Sequence, residues 1–65
     1  MHSQYGGMTV NERLFAAGLL DAFDTAAKRR ARDEMIRILA RVELDGPDGA
    51  AIVDTILADP TKYGV

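Results

Sequence analysis

Side chains able to do covalent or proton-transfer chemistry are few in this chain. Serine and histidine occur once each, as Ser3 and His2 close to the N-terminus, and cysteine is absent. Catalysis needs a nucleophile or base held beside a second group in a pocket, and Thr25 and Thr55 have no base within sequence reach. Asp21 and Asp24 are spaced to share a helix face, but carboxylates at a helix start also answer the positive end of its dipole. Asp45-Gly46-Pro47-Asp48-Gly49 has the outline of a calcium loop. Such a loop wants oxygen ligands at alternate positions and a closing glutamate. Pro47 and Gly49 stand at the alternate positions and no glutamate follows, so the segment reads as a turn. One histidine and no cysteine also leave no ligand set for structural zinc. The sequence therefore predicts no enzyme, no catalytic residues, no metal and no cofactor.

The densest chemistry is cationic. Lys28, Arg29, Arg30 and Arg32 fall within five positions, and Arg37 and Arg41 follow. Charge is segregated: residues 1–24 carry −2, residues 25–42 carry +4 and residues 43–65 carry −4. A basic cluster can displace counterions from nucleic-acid phosphates, and two short helices around a tight turn have the outline of a helix-turn-helix. The helix that would read the groove opens with Asp33 and Glu34, which phosphate repels, and it lacks the amides and hydroxyls that read base edges. Most of the charges have local explanations. Lys28, Arg29 and Arg30 suit a helix C-terminus. Asp33 and Arg37 stand at i,i+4 in the favourable order, which is worth about 0.2–0.5 kcal/mol.

The elements that would carry these groups follow from hydrophobic spacing. Thr9 with Glu12 forms a capping box that opens a first helix over about 9–17. Gly18 either stops that helix in a left-handed conformation, with Leu19 folding back on Leu14, or lies within a longer helix whose stripe is Phe15, Leu19, Ala22, Phe23 and Ala26. The stop is the favoured reading. A second helix over about 20–30 places Leu20, Phe23, Ala26 and Ala27 on one face. A third over about 33–42, with Asp33 as N-cap, repeats Met35, Ile38, Leu39 and Val42 at helical spacing while Ile36 broadens the stripe. Leu44 plugs the next turn. Pro47 suits the first position of a fourth helix over about 47–58, which ends ahead of Pro60. Tyr63 has a core to fold back on. No alternating strand pattern occurs, so the fold class is all-α: a small bundle of three to four short helices in one domain, residues 9–65, after a flexible tail over residues 1–8. The rhythm of Phe23 to Leu44 resembles one helical hairpin of an α-solenoid repeat, and the chain holds no second copy.

Sixty-five residues make a marginal domain. With disulfides and zinc excluded, the remaining stabilisers are helix packing and self-association. The 48% hydrophobic content rules against disorder. No run approaches the roughly 20 apolar residues of a membrane span, and the N-terminus lacks the pattern of a secretory leader, so a cytoplasmic location is expected, with no membrane partner. The surplus of large apolar side chains predicts a protein-interaction or accessory module, with a homodimer and an accessory subunit as its two forms. Its expected patch is Lys28, Arg29, Arg30, Arg32, Ile36, Arg37, Arg41 and Val53. The alternative is nucleic-acid binding through the basic segment Lys28 to Arg41.

Overall fold

The computed structural model describes residues 5–59. Four α-helices follow one another: α1 Val10–Ala16, α2 Leu20–Lys28, α3 Arg32–Ala40 and α4 Gly46–Ala58. Among the described residues there is no strand, and the fold is the small all-α bundle that the hydrophobic spacing predicts. Consecutive helices pack on one another, α1 on α2, α2 on α3 and α3 on α4. The other helix pairs touch less, so α3 is the hub and the α1–α4 seam is thinly closed.

α1 starts as the capping box requires. The Glu12 amide donates to Thr9 Oγ1 at 3.2 Å, and the Thr9 amide donates to Glu12 Oε1 at 2.9 Å. The helix then stops at Gly18, whose φ of +72° is the left-handed conformation. The Gly18 amide reaches the Phe15 carbonyl at 3.1 Å and the Leu19 amide reaches the Leu14 carbonyl at 2.8 Å. This pair of bonds closes a helix end when the residue between turns left-handed. The longer helix through Gly18 does not form.

The same stop recurs twice without glycine. At the end of α2, Arg30 takes φ +56°, its amide reaches the Ala27 carbonyl at 3.0 Å, and the Ala31 amide reaches the Ala26 carbonyl at 2.9 Å. After α3, Glu43 takes φ +66°, its amide reaches the Ala40 carbonyl at 3.2 Å, and the Leu44 amide reaches the Leu39 carbonyl at 2.9 Å. In each stop the accepting residue is buried (Leu14, Ala26, Leu39) and the donor five positions on (Leu19, Ala31, Leu44) packs against the core. Helices of seven to nine residues cannot stand alone in water. Each is held by this apolar clasp and by its neighbours.

Two helix starts differ from the sequence reading. α3 begins at Arg32 with Ala31 as its N-cap, so Asp33 lies inside the first turn and caps nothing. Ala31 is already fixed as the last residue of the preceding stop, which leaves no room for a later start. α4 begins at Gly46 after Asp45, with Pro47 in its first turn. α2 and α3 also end sooner than residues 30 and 42, because the left-handed residues Arg30 and Glu43 force the chain out of the helix.

The core comprises Tyr5, Leu14, Phe23, Ala26, Ala27, Met35, Ile38, Leu39, Val42, Val53 and Ile56. Ala26 and Ala27 let α2 approach closely, and no buried side-chain polar atom is left without a partner among the described residues. Tyr5 falls within the segment read as a tail, yet it is buried and its carbonyl accepts the Met8 amide at 3.1 Å. Among the described residues the packing thus reaches back to Tyr5, four residues before Thr9. Residues 1–4, Pro60 and Tyr63 lie outside the described residues.

Arg13 ties the segment ahead of α1 to the turn after α3. Its Nε donates to the Met8 carbonyl at 3.2 Å and its Nη1 to the Val42 carbonyl at 3.0 Å. α4 docks through a bare backbone: Gly49 is buried, and a Cβ there would overlap the Leu44 carbonyl.

Candidate functional site

The basic segment wraps the α2–α3 turn. Lys28 ends α2, Arg29 is its C-cap, Arg30 is the left-handed residue, Arg32 opens α3, Arg37 lies within α3, and Arg41 follows it. All six are exposed. Two are engaged in tying the turn to α4. Arg30 donates to the Leu57 carbonyl at 3.0 Å. Arg32 holds Asp54 in a two-pronged grip along one edge of its guanidinium, Nε to Oδ1 at 2.7 Å and Nη2 to Oδ2 at 3.2 Å. That bond holds the Asp54 carboxyl below its ordinary value. Asp33 and Arg37 do not form the ion pair that their spacing favours.

The apolar members of the expected patch are not on the surface as a pair. Ile36 is half-buried against the core, and Val53 is fully buried. Val53 therefore drops out of any surface site. The inward stripe of α4 is Gly49, Val53 and Ile56, spaced i, i+4, i+7 and set by docking on α3, whereas Ala51 and Thr55 face outward and Ile52 sits between.

The exposed apolar surface lies instead along α1. Phe15 is 76% exposed, the one large apolar side chain so exposed among the described residues. α1 has room for a single inward face, and Leu14, one turn after Val10, takes it. Phe15 points about 100° away from Leu14 around the helix. The sequence carried that signal: once Gly18 ends the helix, Phe15 has no later partner on its face.

Two hollows flank Phe15's helix. One, of about 530 Å³, opens at the thin α1–α4 seam. Val10, Ala51, Ile52 and Ile56 wall it, with Thr9, Asn11 and Thr55 at its edges. Thr55 Oγ1 is already committed to the Ala51 carbonyl at 2.9 Å. The second, of about 380 Å³, runs between Met8, Phe15, Ala16 and Leu20, with Glu12 on its rim. Asn11 borders both, so the two form one strip across α1. Among the described residues neither hollow is lined by a lysine or arginine.

One carboxylate, Glu12, lines the strip, and two more stand a helical turn from residues that line it. Glu12 is held below its ordinary pKa, first by the Thr9 backbone amide and then by its hydroxyl, and so stays anionic. Asp24 stands one turn after Leu20, and Asp48 one turn before Ile52, each on the same helix face as that lining residue. Such a surface can receive apolar side chains and cations.

Among the described residues no three histidine, cysteine, aspartate or glutamate side chains gather as a metal site, and no helix is long and apolar enough to cross a membrane. Compared with family models, curated proteins and solved structures, the chain matches none of them.

Proposed function

We propose that this chain is a non-enzymatic interaction module of the cytoplasm that takes a row of apolar side chains, from a protein partner or a second copy, onto the α1–α4 strip. The observation that carries the reading is Phe15. A domain this small gains most of its stability from buried apolar area, yet it leaves its largest α1 side chain in water, lining one apolar hollow, with a second hollow on the same helix. Contiguous apolar surface rimmed by charge marks protein contact sites. Selection of helical peptides from a library unbiased in charge, followed by mapping on the ¹⁵N-labelled chain, tests it. Binders whose contacts map to Phe15, Val10 and Ile52 support the reading. Binders that map elsewhere, or none at all, oppose it.

The second reading, nucleic-acid binding, draws on the exposure of the six cations from Lys28 to Arg41. Lys28, Arg29, Arg37 and Arg41 make no side-chain hydrogen bond or ion pair among the described residues, so they are available to phosphate. Anisotropy of a labelled duplex at low salt tests it. Binding that falls steeply with salt and is lost in Arg29→Glu with Arg37→Glu would favour this reading.

A further inference from the structure

The charges around the strip narrow its partner, on the reading that the strip is an interaction site. Among the described residues its lining includes Glu12 and no lysine or arginine, and helical spacing puts Asp24 and Asp48 one turn from the lining residues Leu20 and Ile52. The nearest arginine on α1, Arg13, is half-buried and spends its guanidinium on the Met8 and Val42 carbonyls. The basic cluster starts at the opposite end of α2 from Leu20, eight residues or about 12 Å along the helix. We propose that the strip receives a basic amphipathic helix of a protein partner, its apolar row over Phe15 and into the Val10–Ile52 hollow, its lysines or arginines beside Glu12, Asp24 and Asp48.

The alternatives fit less well. A second copy has one basic helical segment to offer, around α3. The apolar face of that segment, Met35, Ile38 and Leu39, is already in its own core, so the segment cannot lay an apolar row on another molecule without unfolding. An anionic bilayer would meet a carboxylate rim and be repelled. A helix carrying its own cations beside an apolar row satisfies both features of the strip, as groove-bound helices do.

The test uses the whole chain, ¹⁵N-labelled, and three synthetic 14-residue peptides: a Leu/Lys amphipathic helix, a Leu/Glu counterpart with the same leucine spacing, and a Leu/Lys scramble without an apolar face. The Leu/Lys helix is expected to shift Phe15, Val10 and Ile52 and to bind at least about tenfold tighter than the Leu/Glu helix at low salt. The gap should narrow as salt rises. The scramble should not reach the strip. Phe15→Ser should weaken the Leu/Lys helix about tenfold or more, and Asp24→Lys with Asp48→Lys should reverse the preference between the two amphipathic peptides. Equal binding of both at the strip would overturn the proposal and leave the interaction reading standing. Failure of every peptide to touch the strip would remove both. Dimerisation with intermolecular contacts at Phe15, or contacts between Tyr63 and Ile52 in the free chain, would assign the strip to another occupant and overturn the proposal.

Discussion

The backbone of Gly49 lies against the carbonyl of Leu44, so close that a side chain at 49 would overlap the oxygen. Two helices thereby share a turn with no atoms to spare. Gly49→Ala is expected to destabilise the chain by about 1–3 kcal/mol, because the obstacle is backbone and cannot rotate away. Gly18→Ala should cost about 1 kcal/mol for a different reason. An added Cβ there meets nothing within 4 Å, and the penalty is the left-handed φ alone. Urea unfolding of both variants separates the two causes. The loss at Gly49 should be recovered in part by substitutions that loosen the 44–46 turn, whereas the loss at Gly18 should not.

Arg30 is left-handed without being glycine, and its guanidinium ties the turn to the Leu57 carbonyl. Arg30→Ala keeps the backbone strain and loses the tie. Arg30→Gly loses the tie and relieves the strain. The expected order of stability places glycine at least level with arginine and about 1 kcal/mol above alanine. An alanine variant as stable as the glycine variant would show that the conformation at this position carries no cost.

How much of this was legible in the sequence depends on which signal each element used. Thr9, Glu12 and Gly18 are explicit start and stop signals, and the first helix falls where they place it. Arg30 and Glu43 perform the same stop as Gly18 but carry no composition cue, so the ends of the second and third helices are read too late. What does mark them is the spacing of the clasp: an apolar residue five positions after a buried one, Ala26 to Ala31 and Leu39 to Leu44, as Leu14 to Leu19. The basic cluster was plain in the sequence, and the tether from Arg32 to Asp54, 22 residues away, was not, because nothing local announces a long-range pair. Val53 went astray for a related reason. α4 is apolar on most sides, and its docking through Gly49 decides which side turns inward.

The burial of Tyr5 makes residues 5–7 part of the fold. Tyr5→Ala is expected to cost about 3 kcal/mol, in line with removal of a buried aromatic ring. A chain starting at Met8 should lose a similar amount. In a domain this small that is a large share of the whole, and the thermal midpoint should fall by more than 10 °C. A Met8 start as stable as the full chain would show that the ring contributes nothing in solution.

Two carboxylates make stability fall in acid. Glu12 lies below its ordinary 4.5 through the Thr9 amide, and Asp54 below its ordinary 3.8 through Arg32. A carboxyl whose pKa is lower folded than unfolded binds fewer protons when folded. Its contribution is therefore complete above the ordinary value and is lost as the pH falls through the lowered one. Stability should be flat from neutrality to about pH 5 and should decline below it. Both groups are exposed, so the decline is shallow and shrinks with salt. Asp54→Asn and Glu12→Gln should each flatten part of it. Glu12→Gln should lose little near neutrality, since glutamine can still close the capping box.

Phe15 separates surface from core on one helix. Leu14 beside it is fully buried, so Leu14→Ala should cost about 2–5 kcal/mol. Phe15→Ser removes a side chain that is 76% exposed, and its effect on the urea midpoint should amount to no more than about 0.5 kcal/mol. What should change is behaviour that depends on apolar surface: weaker binding of a hydrophobic dye and less association at high concentration. If Phe15→Ser instead unfolds the domain, the ring is packed in solution, and the strip loses the residue that makes it a contact surface.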